Sequence, residues 1–286
     1  MSLADWGRLI LLSLLWGGSF FFVEVALSGL PAVSVVFGRV ALGALCLAAM
    51  LGGRLPQGLA VWRALAVMGL LNCAVPFCLF ALAQGEISGA MAAILNATTP
   101  LWTVVVAHLA GAEALTARRV AGLGFGFAGV VVMAGGGVGS PFALLACLGA
   151  ALSYAVASVW GRRLAGMGVR PLQAGFGQAA AAALILAPVW LAVDQPWALP
   201  LPGLAVWGAL AGIAVLSTAL AYVIYFRLLE SAGAVNLALV TFLIPVSAAA
   251  LGAVFLGTRL GLPHVAGFGL IAVGLWAVVR RKDQSK

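Results

Sequence analysis

The stretch NATTPLW, Asn96–Trp102, places an amide, two hydroxyls, a proline and an indole inside an otherwise apolar run. A proline within a helix removes one backbone hydrogen bond and frees the carbonyl oxygen four residues earlier. Pro100 would free the carbonyl of Asn96, and Pro245, which stands 145 residues further on, would free that of Thr241. Paired helix interruptions in a membrane chain point to a binding site near the bilayer midplane. We therefore expect both prolines to mark helix breaks that serve gating.

The polar side chains of this stretch could serve a solute or only their own helix. On a helix, Asn96, Thr99 or Pro100, and Trp102 or Thr103 share one face. The Asn96 amide suits an amino or carboxyl group, and Trp102 offers a flat apolar face and cation–π attraction for an ammonium. The alternative is a packing kink in which the hydroxyl of a neighbouring threonine bonds the freed carbonyl.

Other polar or aromatic residues within apolar runs are candidates for the same cavity. They are Trp16, Ser19, Phe20, Asn72, Phe77, Phe80, Tyr154, Ser158, Ser217, Tyr222, Tyr225, Thr241 and Ser247. Taken singly, an aromatic residue in such a run more often faces lipid or the protein core than a cavity. The candidates are therefore predicted as a group, to be sorted by the fold that positions them.

The composition of the chain indicates whether these residues lie in a soluble protein or in a lipid bilayer. The 286-residue chain is 64% hydrophobic and 8% charged, with a mean hydropathy of +1.18. A soluble domain carries about a quarter charged residues, and a membrane β-barrel would alternate apolar and polar residues. We predict an all-α membrane protein in the lipid bilayer. Its net charge of +8 indicates basic cytoplasmic loops and not a nucleic-acid partner.

No cofactor, metal site or enzyme centre is expected. The four cysteines lie in apolar runs without metal or disulfide spacing, and no nucleophile–base constellation is present. The GxGxxG pattern at 124–129 follows no strand, so it is not a nucleotide site. Gly122 and Gly126 instead form a GxxxG face that predicts close helix packing.

About 20 apolar residues cross a bilayer, and the chain divides into ten such spans. They are 6–27, 32–51, 61–83, 87–110, 118–136, 141–162, 171–192, 203–227, 233–256 and 262–279. With the N-terminus in the cytoplasm, nearly all lysines and arginines lie inside, and Arg259 lies outside. Excess positive charge marks the cytoplasmic side, so both termini are predicted to be cytoplasmic.

The chain also repeats itself. At the offset that separates the two prolines, VAGLG at 120–124 matches VAGFG at 265–269. Two five-span units are predicted, residues 1–137 and 138–286. Because each unit has an odd number of spans, the second must be inverted relative to the first. Inverted repeats are typical of transporters that bind substrate between their halves.

Charges within the spans are scarce, and such charges usually have a function. Glu24 in span one and Arg39 in span two lie at similar depths from the outer side. We predict an ion pair between them, with a substrate clamp or proton site as the alternative. No aspartate or glutamate lies near the bilayer midplane, which favours facilitated transport without proton coupling. Proton coupling through Glu24 or Glu86 is the alternative.

Three longer motifs resemble the drug/metabolite transporter superfamily, EamA type. They are LLWGGSFFF in span one, RVALGAL in span two and TTPLWTVVVAHLAGAEALTARRVAGLGFGFAGVVVM across spans four and five, which the second half echoes. The resemblance implies ten spans, inverted repeats and export of small metabolites, including amino acids. One departure is that Glu113 of the first half corresponds to Thr258, followed by Arg259, in the second. A role that needs both acids is therefore in doubt.

The sequence predicts a bacterial-type inner-membrane exporter of small solutes, chiefly amino acids with aromatic ones favoured, working by alternating access. Efflux of lipophilic drugs or other metabolites is the alternative within the transporter class. An intramembrane lipid-modifying enzyme is the alternative outside it, and a scaffold is the third. No motif in the sequence specifies one solute or an oligomeric state.

Overall fold

The structure is a computed structural model that describes residues 2–111, 116–135, 140–237 and 239–279. This part of the chain contains helices and turns but no strand. The α-helices are α1 Leu3–Leu27, α2 Ala32–Leu51, α3 Leu59–Gly69, α4 Val75–Gln84, α5 Gly89–Asn96, α6 Thr99–Leu109, α7 Ala117–Gly135, α8 Pro141–Gly166, α9 Pro171–Val193, α10 Leu204–Ala214, α11 Ala221–Leu237, α12 Val240–Leu256 and α13 Leu262–Val279. Two predicted features, Glu113 and the 137/138 boundary, lie outside the described residues.

The helices carry the apolar character expected of membrane spans. Within the described residues, seven helical segments are long and apolar enough to cross a bilayer, and two shorter apolar helices follow at 243–256 and 262–274. The all-helical membrane fold is thus confirmed. The count of ten spans and the cytoplasmic position of both termini stay predictions.

Two π-helical segments interrupt otherwise continuous spans. Leu70–Ala74 joins α3 to α4, and Val215–Leu220 joins α10 to α11. They begin 145 residues apart, which is the offset of the sequence repeat. π-helical turns are rare and frequently occur at functional sites. Their equivalent positions direct attention to the centre of the molecule.

The helix break predicted at Pro100 is present. α5 ends at Asn96, a turn follows, and α6 begins at Thr99 with Pro100 in its first turn. The Asn96 carbonyl accepts a hydrogen bond from Thr99 Oγ1 at 2.7 Å. The freed carbonyl is therefore bonded within its own span, as the packing-kink alternative requires.

The equivalent break predicted at Pro245 is wrong. α12 runs without interruption from Val240 to Leu256, so Pro245 lies inside a continuous helix. Ahead of Pro245, α11 ends at Leu237 and α12 begins at Val240. The two halves share the proline but not the helix break, because the packing of neighbouring helices decides whether a span stays continuous around a proline.

Glycines allow the closest helix contacts, and the GxxxG prediction is confirmed. A Cβ on Gly274 of α13 would lie 2.5 Å from the Gly122 carbonyl oxygen and 2.7 Å from the Gly126 nitrogen. A Cβ on Gly129 would lie 2.5 Å from the Gly267 carbonyl oxygen. Backbone therefore packs directly on backbone between α7 and α13, which only glycine permits.

Candidate functional site

A central cavity of about 540 Å³ lies among α1, α2, α8, α9 and the two spans that contain the π segments. Ligand cavities commonly measure about 300–1,000 Å³. Most of the sequence-predicted site residues line it: Trp16, Ser19, Phe20, Asn72, Phe77, Phe80, Asn96, Thr99, Tyr154, Ser217, Tyr222, Tyr225 and Thr241. The break between α5 and α6 therefore borders the cavity even though its carbonyl is bonded.

Three predicted site residues lie elsewhere, and these placements correct the prediction. Trp102 points away from the cavity and packs edge-on against Phe127, with ring centroids 5.0 Å apart. Ser158 is exposed, and its hydroxyl donates to the carbonyl of Ala155. Ser247 is buried and shares a 3.0 Å hydrogen bond with Ser13, tying α12 to α1. Sequence spacing did not reveal which neighbour each of these side chains would meet.

Aromatic rings form much of the cavity wall. Trp16 lies 5.6 Å from Tyr225, and Phe20 lies 5.5 Å from Phe80 in an edge-to-face arrangement. Phe80 in turn stacks with Tyr154 at 6.1 Å. Aromatic pairs at these separations hold one another's orientation. The wall thus offers preformed flat surfaces to an apolar group of a solute.

A chain of hydrogen bonds forms a polar strip across this wall. The Asn72 amide nitrogen donates to Gln178 Oε1 at 2.8 Å, and the Gln178 amide nitrogen donates to the Tyr222 hydroxyl at 2.5 Å. Asn72 belongs to the first π segment, and Ser217 and Thr218 of the second also line the cavity. Both π segments therefore supply polar groups to the same space.

Sequence reasoning missed Gln178 and Gln84, which also line the cavity. Each is an uncharged polar residue in an apolar run. The rule that intramembrane polar residues are costly and functional would have found them.

The predicted ion pair between Glu24 and Arg39 is wrong. Glu24 Oε2 instead accepts a hydrogen bond from the Gly89 backbone nitrogen at 2.7 Å. Its negative charge thereby caps the positive N-terminal end of α5. The Arg39 guanidinium carbon lies 3.7 Å above the centre of the Phe77 ring, and Arg39 lines the cavity. The Glu24 carboxylate and the Arg39 guanidinium therefore do not pair, although they lie at similar depths along their spans.

The two ends of the cavity differ. Toward the α8–α9 connection the lining includes Leu164, Val169 and the exposed Pro171. This end carries Arg162, Arg163 and Arg170, so the positive-inside rule predicts that it faces the cytoplasm.

The opposite end is tied together across the two halves of the chain. Asp194 Oδ2 accepts hydrogen bonds from the Ser34 backbone nitrogen at 2.6 Å and from its hydroxyl at 2.7 Å. The Trp190 indole nitrogen donates to the same hydroxyl at 2.9 Å, and its ring stacks on Phe37 at 4.1 Å. We call Ser34, Phe37, Trp190 and Asp194 the Asp194 latch.

The described residues contain no group of histidine, cysteine, aspartate and glutamate side chains suited to a metal ion. Among the described residues that line the cavity there is likewise no carboxylate and no imidazole. The arrangement can hold and orient a solute, and its charged group is the Arg39 guanidinium.

Known proteins resemble this chain in sequence and in fold. The model of the EamA-like transporter family matches residues 7–135 and again residues 141–280. The inner membrane transporter YedA of Escherichia coli (strain K12) is 28% identical over 276 residues, covering 94% of this chain and 87% of YedA. The transporter YvbV of Bacillus subtilis is 27% identical over 237 residues, covering 79% and 74%.

Two further matches extend the comparison. The protein PecM of Dickeya dadantii is 27% identical over 216 residues, covering 72% of this chain and 70% of PecM. A crystal structure with 20% sequence identity superposes with a TM-score of 0.67, covering 97% of this chain and 96% of the other. At that identity the superposition shows a shared fold.

Proposed function

Because the chain belongs to the EamA-like transporter family, we propose that it exports small organic solutes through the central cavity, chiefly amino acids and preferably aromatic ones. The observation that carries this proposal is the cavity itself, which combines aromatic walls, a polar strip and the Arg39 guanidinium. A solute with an apolar ring and a small polar end fits such a lining. We place the protein in a bacterial-type inner membrane, as the name of the relative from Escherichia coli suggests.

The proposed mechanism is alternating access between two inverted five-span halves, residues 1–137 and 138–286. It is supported by the difference between the cavity ends: the lining extends to exposed residues at one end, while the Asp194 latch ties α2 to α9 at the other. In this conformation the solute enters from the cytoplasm. Export requires the latch to open and the cytoplasmic end to close.

Counterflow in proteoliposomes tests this function. Vesicles loaded with unlabelled phenylalanine should take up labelled phenylalanine faster than vesicles without protein. Asn96→Ala should lower kcat/KM about fivefold, as expected for loss of one hydrogen bond worth about 1 kcal/mol. Trp102→Phe is the matched control within the same stretch, because Trp102 packs against Phe127 and not against the cavity.

Two results would contradict the proposal. One is the absence of counterflow for every aromatic amino acid, and the other is stronger competition by lipophilic cationic dyes than by phenylalanine. The second result would favour drug efflux.

A further inference from the structure

Arg39 holds a positive charge in the cavity that no described residue neutralises. It forms no hydrogen bond or ion pair with the described part of the chain, and its Nε atom is buried without a partner. Arginines within membrane spans usually pair with another group, since an unpaired charge there is costly. The Phe77 ring beneath the guanidinium offsets part of that cost by cation–π attraction. The remaining cost can be offset by an anion that enters the cavity.

We propose that Arg39 binds the carboxylate of the transported solute, and that the cavity recognises aromatic monocarboxylates without using an α-ammonium group. This inference rests on the proposed function only in that the solute occupies the central cavity. It redefines the substrate class from amino acids to compounds that present an aromatic ring and one carboxylate, with or without an ammonium group.

The choice of a single carboxylate follows from the geometry of the guanidinium. Its planar fork matches a carboxylate in a bidentate arrangement. One of its faces is covered by Phe77, and a carboxylate would meet the N–H donors at its edge. Arg39 is the one cationic residue among the described residues that line the cavity. A phosphate dianion would therefore bring a second negative charge with no cation to balance it.

The lining gives an ammonium group no ionic partner. Its described residues include no aspartate or glutamate, and the nearby Glu24 is engaged by the Gly89 backbone nitrogen outside the lining. The amide oxygen of Gln178 already accepts from Asn72. The positive charge of Arg39 also opposes a second cation a few ångströms away. The ammonium of a zwitterion is thus tolerated but gains no ion pair from the described lining.

Ligand binding to the purified full chain in detergent tests this specificity directly. The probes are L-phenylalanine, 3-phenylpropionate, phenethylamine and L-phenylalaninamide, which share one ring and differ in their charged groups. The two carboxylates should raise Tm and bind with Kd values within about threefold of each other. The amine and the amide should not raise Tm. Binding of the amine or amide as tightly as 3-phenylpropionate, or no binding of either carboxylate, would overturn the inference.

Variants of Arg39 separate ligand binding from a structural role. Arg39→Met should weaken 3-phenylpropionate binding at least about tenfold, because it removes a charge-assisted bidentate contact. It should not lower the Tm of the ligand-free protein, because replacing an unpaired enclosed charge by an apolar chain is often neutral or stabilising. A fall in ligand-free Tm with unchanged carboxylate affinity would assign a structural role and overturn the inference.

Two further variants complete the test. Arg63→Met makes the same chemical change at an exposed position on α3 and should bind like the wild type. Arg39→Lys keeps the charge but loses the fork, so its affinity should fall between those of the wild type and Arg39→Met. If Arg39→Met fails to fold, wild-type affinity in Arg39→Lys overturns the inference and reduced affinity supports it.

Failure of this inference can be told apart from failure of the proposed function. If phenylalanine is not transported while both carboxylates stabilise the wild type but not Arg39→Met, amino acid export is wrong and the inference stands. If phenylalanine is transported and Arg39→Met keeps the wild-type KM and probe preference, the inference is wrong and the proposed function stands.

Discussion

Opening of the Asp194 latch can be made measurably easier by a single substitution. Asp194→Ala removes two hydrogen bonds to Ser34, of 2.6 and 2.7 Å, that join α2 to α9. A hydrogen bond to a charged group contributes about 1.5–3 kcal/mol. Because Asp194 is partly exposed, we discount the pair to about 1.5–2 kcal/mol in total. The equilibrium between latched and open states should therefore shift about tenfold or somewhat more toward the open state.

A reporter cysteine makes that shift visible. Val36 is 1% exposed and lines the cavity just inside the latch. An impermeant maleimide added from the latch side should therefore react with Val36→Cys only when this end opens. With the four native cysteines replaced by alanine, the Asp194→Ala background should raise the labelling rate from the latch side about tenfold.

The control for this experiment is a second polar residue at the same end. The hydroxyl of Ser28 is exposed and donates only to the Val25 carbonyl of its own helix. Ser28→Ala should leave the labelling rate within about twofold of the parent, because surface substitutions usually change stability by less than about 0.5 kcal/mol. An unchanged labelling rate in the Asp194→Ala background would refute the latch, since the lost bonds would then not distinguish the two states.

Two further predictions concern helix packing and coupling. Gly129→Ala should lower the free energy of unfolding by about 1–3 kcal/mol, because its Cβ would lie 2.5 Å from the Gly267 carbonyl oxygen. Thermal or denaturant unfolding measures this, with Gly124→Ala on the same helix as the control; its Cβ meets nothing within 4 Å, so it should be neutral or slightly stabilising. Equal losses of unfolding free energy in the two variants would contradict the packing of α7 on α13. An imposed pH gradient should not drive accumulation of labelled phenylalanine in proteoliposomes, because the described cavity lining holds no carboxylate or imidazole. Accumulation driven by the gradient would contradict this and would show that a proton-binding group outside that lining couples solute transport to proton movement.

Much of the candidate site could be predicted from the residue types alone. In a chain this apolar, a mid-span asparagine, serine or tyrosine is costly unless it is buried or faces a wet cavity. That rule found Asn72, Asn96, Ser217 and Tyr222, all of which line the cavity. The rule could not distinguish Trp16 from Trp102. Both are aromatic residues in apolar runs, but Trp16 lines the cavity and Trp102 does not.

The sequence by itself determined the membrane class and the glycine contact between α7 and α13. These depend on composition or on short-range sterics, since an apolar run needs lipid and a glycine lacks a Cβ. The packing of neighbouring helices decided that the chain breaks beside Pro100 and stays helical through Pro245. Only the tertiary structure decided the partners of Glu24 and Arg39. Sequence gives the depth of a residue along its span, whereas the direction of its side chain depends on how the helices pack. That packing left Arg39 facing the cavity without a described counter-ion.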